Sequence, residues 1–441
     1  MSRKIYILIF FFMLISVGVL FLVSQRKWVS ISEKRKLATF PDFTWDNYIS
    51  GKFADSINQY INDHFPYREE AVKLTGTFRD NLGFRLKDMV KEVVINKKDQ
   101  IDLDSVKSDP VDKVWLEDFE EAFLGSMVIM NGRVYTLNTG SPSMSPYFAK
   151  MLNEYADTLN EKTRVFSCVV PLSSAFIPNA QYEKYSKRNE ETLNAIRESL
   201  SPKVYYSDIF NEMNRHYNEN IWFGSDHHWT ALGAYYGYVA FCKSAGLTPV
   251  PLNLMGVKKK YPFLGSLYEL TRDKSVRDNP DTVIMYLPPN VETESLKYNP
   301  YDFKYPQKTK VFCNCGNYTA FICGDAPLIK ITTSVKNGKK AAVVKNSMGN
   351  AFVVYLISHY EEIYVFDFRY SKHNILKIIN NSNIDDLIFS LGMYGAMSRG
   401  TISMMRNLAR HTPKDYDKVR EREAEKRALD SLSSVQDSLQ L

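Results

Sequence analysis

"KKAAVVKNSMGNAFVVYLISHYEEIYVFDFRY" spans residues 339–370 of the 441-residue chain, and its reading decides the fold. A short apolar run ends in the polar turn Asn346–Ser347–Met348–Gly349–Asn350. An apolar run of helical length follows, and the β-branched and aromatic piece "EIYVFDF" closes the unit. Strand, tight turn, helix and strand make the unit of a parallel sheet, because parallel neighbours need a crossover connection.

The same rhythm runs on both sides of this stretch. "GRVYTL" (132–137), "TRVFSCVVP" (163–171) and "KVYYSDI" (203–209) read as strands, and "NSNIDDLIFSLGMYG" (381–395) adds another. Helices are predicted over Pro146–Leu159, over "RNEETLNAIRESL" (188–200) and over Thr230–Leu247, the last closed by Gly246. The expectation is an α/β domain over 113–410 with a parallel sheet flanked by helices. Residues 249–340 break the rhythm. They are rich in Pro, Asn, Asp and Lys and carry β-like pieces such as "DTVIMYL", "TKVFCN" and "YTAFIC", so a β-rich insertion is expected there. Upstream, 28–112 reads as a helical segment, with two or three helices between Thr44 and Val94 and a polar connection over Asp104–Asp112. Downstream, 411–441 reads as a charged helical tail, supported by Glu423 and Arg427 at i,i+4.

The net charge of +6 is spread thinly, and no Lys/Arg stripe argues for nucleic acid. "GVKKKYP" (256–262), the densest basic cluster, reads as a solvated loop. Ile5 to Val23 contains no charged residue. At about 1.5 Å per residue such a run nearly spans a bilayer core of about 30 Å. "VLFLVSQRK" offers no good cleavage site, so residues 1–27 read as a signal anchor with a transmembrane helix rather than a cleaved leader. The long remainder is then expected outside the cytoplasmic membrane, periplasmic or extracellular. Disulfides are permitted there. Of the five cysteines, Cys313 or Cys315 could pair with Cys323 across a short hairpin, whereas Cys168 and Cys242 read as buried thiols. The cluster lacks a second Cys pair or a His at ligand spacing, which argues against zinc.

Two stretches fall at the carboxyl ends of predicted strands, where parallel α/β sheets place their sites. In the first, Ser347 sits on a strand–turn–helix corner that exposes the hydroxyl and sets its N–H near a helix start. On the turn alone, a helix N-cap is the plainer reading. The second is "GSDHHWT" (224–230). A nucleophilic serine needs a base with a pKa near working pH, usually His, and a carboxylate to orient that His. Asp226 and His228 could supply both. Asp226 could equally cap the following helix, and Asp226, His227 and His228 could bind a metal, although spacing suggests no further ligand from elsewhere in the chain.

"SDHHWTALGAYYGY" resembles the signature of the DHHW family and is similar to the Asp-x-His-Trp motif of the SGNH-hydrolase-like alginate O-acetyltransferases. In those enzymes the Asp-x-His pair precedes the serine, as Asp226 and His228 precede Ser347 here. "KRKLATFPDF", "INDHFPYREE", "GSLYEL", "NYTAFICGDAP" and the stretch running into and past Ser347 also resemble the family, so the resemblance covers roughly Glu33 to Gly395. It implies an SGNH-like fold, with Ser347 as nucleophile, His228 as base, Asp226 as orienting carboxylate and Trp229 packed behind the pair. No cofactor and no metal are implied. The chemistry implied is O-acetylation of a cell-envelope or secreted polysaccharide through an acyl-serine, with a multi-spanning membrane O-acyltransferase as partner. Transfer to water would make the protein an esterase, and a non-catalytic glycan- or partner-binding envelope protein is the alternative. Substrate or oxyanion candidates are Arg369, Asn350, Asp325 and Trp229. Relatives often carry Asn where this chain has Asp325, and an ionised Asp325 would repel an oxyanion. They usually have an acidic residue where this chain has Asn346. Arg369 could bind an acidic sugar or pair with a carboxylate.

Overall fold

Ala341, Ala342, Val343 and Val344 are all completely buried. A strand apolar on both faces belongs inside a sheet that is covered on both sides. The computed structural model describes residues 35–67, 91–93, 126–138, 140, 142–412 and 414–422, with scattered positions among the first 30. Strands β1 (Met127–Met130) and β2 (Arg133–Thr136) form a hairpin. Helix α1 (Ser145–Thr158) leads to β3 (Arg164–Val170), then α2 (Glu183–Ser199) to β4 (Val204–Tyr206). Helices α3 (Ile209–Asn214) and α4 (Ala231–Ala245) follow. A second hairpin, β5 (Gly256–Phe263) with β6 (Asp281–Leu287), brackets the short α5 (Ser266–Thr271). The chain continues through β7 (Thr293–Tyr298), β8 (Gln307–Thr309), β9 (Leu328–Thr333) and β10 (Lys340–Lys345). It ends in α6 (Gly349–Leu356), β11 (Glu362–Asp367), α7 (Ile375–Ser382), β12 (Asp386–Gly392), α8 (Met393–Met397) and α9 (Arg399–Leu408).

Eight strands form the central sheet in the order β8-β7-β9-β11-β10-β12-β3-β4. From β11 to β4 all neighbours are parallel, with Val343 opposite Val365 on one side and Ile388 on the other. Helix α6 carries β10 to β11, and α7 returns the chain across β10 to β12. The carboxyl end of β10 therefore lies where the winding reverses, the position at which open α/β sheets leave a crevice.

The sheet differs from the expected parallel one in being mixed. β9 is antiparallel to β11, β7 to β9 and β8 to β7. All three come from 249–340, so this segment extends the central sheet as well as forming the hairpin β5–β6. Antiparallel neighbours can be joined by short links without a helix, which is why the strand–helix rhythm vanishes there. "GVKKKYP" is a strand of that hairpin rather than a loop, with Val257 paired to Tyr286. It is largely exposed on both faces up to Phe263 and gives no alternating signal. "KVYYSDI" stops as a strand at Tyr206, because the Asp208 side chain accepts the Asn211 N–H and starts α3. Cys313 is bonded to Cys315, not to Cys323; their Cα atoms lie 5.5 Å apart, within bridging reach.

Helices Trp45–Ile49 and Lys52–Asp63 occupy the start of the expected helical segment. Residues 68–90, the connection Asp104–Asp112 and the tail beyond 422 lie outside the described residues. Among the described residues, no helix is long and apolar enough to cross a membrane. The run Ile5–Val23 falls only partly on described positions.

One buried charge ties three parts of this sheet together. Asp386, at the start of β12, accepts Arg164 Nε and Nη2 at 2.7 and 2.9 Å and the Tyr360 hydroxyl at 2.6 Å. Asp386→Ala leaves the Tyr360 hydroxyl and the guanidinium without this acceptor. The variant is expected to lose roughly 2–4 kcal/mol of unfolding free energy, measured by chemical denaturation.

Candidate active site

The loop between α3 and α4 is built to present side chains. Trp222 and Trp229 pair across it as an isolated antiparallel bridge, and the Phe223 N–H donates to the His228 carbonyl at 3.3 Å. Asp281, at the start of β6, accepts the Gly224 N–H at 2.9 Å and the Ser225 N–H and hydroxyl at 2.7 and 2.6 Å. The cap of α4 is Thr230, whose hydroxyl accepts the Gly233 N–H. Asp226 is thereby left with another task.

That task is His228. Asp226 Oδ1 lies 2.5 Å from His228 Nδ1 and also accepts the His228 backbone N–H at 3.0 Å. Its other oxygen accepts the Ser266 N–H at 2.8 Å. Burial alone would raise the Asp226 carboxyl. The charges of His228 and His227 and the hydrogen bonds from His228 and Ser266 outweigh burial and hold it well below the ordinary carboxylate range. Gly265 is required at this point, because a Cβ there would come 2.1 Å from Asp226 Oδ2.

His228 Nε2 lies 2.8 Å from Ser347 Oγ. Asp226, His228 and Ser347 thus form one connected line, and all three are buried. Ser347 sits in the turn after β10, not at the cap position, which Met348 occupies. The Asn346 side chain steadies this turn by accepting the Met348 N–H at 3.1 Å. Gly349 allows the sharp return: a Cβ there would meet Lys345 Cβ at 2.5 Å and the Ser390 carbonyl at 3.1 Å. Trp229 is fully buried behind the pair, and its Nε1–H donates to the Met348 carbonyl at 2.9 Å.

Sequence reasoning missed Tyr318. Its ring lies parallel to the His228 imidazole at 3.7 Å between centroids, 8° from coplanar, and its hydroxyl donates to the Met348 carbonyl at 3.2 Å. Trp229 and Tyr318 therefore fix the same carbonyl, one residue after the serine. Asp281, Ser266 and Lys345 were missed as well. The one local signal was Lys345, a charge interrupting the apolar strand "AAVV".

Lys345 is completely buried and lies 2.5 Å from Asp325 Oδ1 and 2.6 Å from Asp367 Oδ2. Arg369 donates to both oxygens of Asp367 and lies 3.0 Å from Asp325 Oδ2. Burial opposes charge on Asp325, but the charge and hydrogen bond of Lys345, the Asn350 amide and the His228 charge hold its carboxyl below the usual range. Asp325 is thus paired with two cations, both of which it shares with Asp367. Arg369 is a carboxylate partner, and Asn350 Nδ2 is turned onto Asp325 at 2.9 Å.

Asp226, His227 and His228 bring three ligand-type atoms within 4.8 Å of one another. All are engaged: His228 Nδ1 by Asp226, and His227 Nδ1 by the Ser266 hydroxyl at 2.6 Å. What the line can do without breaking any contact is move a proton from Ser347 Oγ to His228 Nε2, with Asp226 compensating the imidazolium.

The profile of the DHHW protein family matches residues 93–366. A solved DHHW family protein from Eubacterium siraeum is 29% identical, with a TM-score of 0.58 over 64% of this chain and 95% of that one. Bacillus cereus PatB1 shares the fold at 17% identity and a TM-score of 0.52, over 62% and 98% of the two chains. The O-acetyltransferase domain of Pseudomonas putida AlgJ aligns at 12% identity and a TM-score of 0.36, over 64% and 98%. No curated protein matches the chain.

Asp226 and Asp325 each have a folded pKa below the ordinary value of about 4. A depressed carboxyl contributes stability that is complete above the unfolded pKa and lost as pH falls through the folded one. Unfolding free energy should therefore decline once pH drops below about 4–5. In denaturant titrations across pH 2–7, that decline should be shallower in Asp226→Asn.

Proposed function

The chain belongs to the DHHW family, and on that premise we propose that it is a membrane-anchored, extracytoplasmic acyltransferase that O-acetylates a cell-envelope or secreted polysaccharide. The observation that carries this reading is the Asp226–His228–Ser347 line, with contacts of 2.5 and 2.8 Å. His228 Nε2 takes the Ser347 proton as Oγ attacks the acyl carbonyl. The tetrahedral oxyanion forms beside the Ser347 N–H, at the turn into α6. Its collapse breaks the bond to the donor's leaving group, which receives the proton from His228. A sugar hydroxyl then gives its proton to His228 and attacks the acyl-serine, and Ser347 leaves and is reprotonated. Asp226 keeps the imidazole in the required tautomer and balances its charge in both halves.

Pairing with Lys345 and Arg369 blunts the repulsion expected of Asp325, which supports this reading. Neither step needs a metal or cofactor. Acyl groups must reach the outer face of the membrane, and a multi-spanning membrane O-acyltransferase is the partner that would deliver them. The anchor is the apolar run Ile5–Val23.

The test uses the full chain in detergent with a chromogenic acetyl ester. Ser347→Ala and His228→Ala should each lose activity by about 10³-fold or more, and Asp226→Asn by a similar order. Intact-mass spectrometry should show one acetyl group on the wild type and none on Ser347→Ala. Equal rates in all four proteins would sink the proposal. Adding glycan acceptors separates transfer from hydrolysis: faster turnover with acetylated glycan marks a transferase, and acetate alone marks an esterase.

A further inference from the structure

A cavity of about 370 Å³ lies beside the site loop, lined by Arg133, Ile221 and Trp222 among others, within the size range of small-ligand sites. Phe176 and Trp222 in its wall are buried, and Tyr217 is half exposed. The exposed Tyr217 ring offers an apolar face against which the C–H face of a sugar ring can pack. The polar groups around them are Arg133, Ser173, Asn218, Asn220 and Glu219. The Arg133 guanidinium donates to two neutral oxygens, Asn220 Oδ1 at 3.2 Å and the Trp222 carbonyl at 2.5 Å, and meets no carboxylate among the described residues. Trp222 Nε1–H is buried and has no acceptor among the described residues. The one acid in the wall, Glu219, is taken by His216 Nδ1 and the Tyr236 hydroxyl, each at 2.7 Å.

A cavity whose guanidinium meets only neutral oxygens, beside a half-exposed aromatic ring, suits a ligand with an apolar face and a negatively charged acceptor. We infer that the Arg133–Trp222 cavity binds an anionic sugar unit of the acceptor chain. This rests on the glycan reading of the site above. The cavity is joined to the site mechanically. Trp222 bridges to Trp229, the neighbour of His228, and the Val134 N–H next to Arg133 donates to the Gly224 carbonyl at 2.8 Å. A polymer held here is held on the loop that carries the base.

The test is calorimetric titration of the full chain in detergent with three oligosaccharides of equal length: one bearing glucuronate, one bearing a sugar phosphate and one neutral. At least one anionic probe should bind, and the neutral one at least tenfold more weakly. Tyr217→Ala and Arg133→Gln should each weaken the anionic probe about tenfold. Tyr217 is the safer variant, because Arg133 also braces the loop. Ser347→Ala should bind like the wild type, so the cavity is scored whether or not the catalytic proposal holds. No binding of either anion, equal binding of the neutral probe, or unchanged affinity in Tyr217→Ala would overturn the inference.

Discussion

Asp226 and His228 are two residues apart, yet their side chains meet at 2.5 Å. A regular strand would place them on one face but too far apart, and a helix would turn them away from each other. The loop succeeds because its backbone is held from outside. Asp281 accepts three donors of Gly224 and Ser225, and the Ser266 N–H donates to the second Asp226 oxygen. Both restraints come from the β5–β6 hairpin and its link, 40 to 57 positions further on. The segment that breaks the α/β rhythm is thus what gives the base its shape.

Much of the architecture was legible because burial on two faces leaves a mark. The runs around Val343, Val365 and Ile388 are apolar throughout, and the pieces between them have helical length. The edge made by β7, β8 and β9 was not legible. Lys330 and Lys297 put charges into those strands, and no crossover helix of the kind that marks parallel neighbours joins them. Ser347, His228 and Asp226 could be picked out because their chemistry is tied to residue type and their order to a family pattern. Tyr318 could not. Its role comes from a ring stacked on an imidazole 90 positions earlier, and nothing in "NYTAFIC" distinguishes it from any other aromatic in a β-rich stretch.

The charge cluster shows how one substitution can change meaning in context. Read alone, Asp325 in a cleft is an unfavourable neighbour for a developing anion. In the fold it is one of two carboxylates shared by Lys345 and Arg369. Burying one such carboxylate without a partner would be costly, and burying the set with mutual contacts is tolerated. The lysine that interrupts the β10 strand is explained by that same set.

Ser347 and the imidazole that touches it are 119 positions apart. Between them the chain must complete α4, the β5–β6 hairpin, the antiparallel edge and β10. A nascent or partly unfolded chain therefore carries an alcohol with ordinary reactivity and an imidazole with nothing to activate. The serine–imidazole contact belongs to the folded domain alone, so any chemistry it supports switches on only when the whole α/β unit has closed.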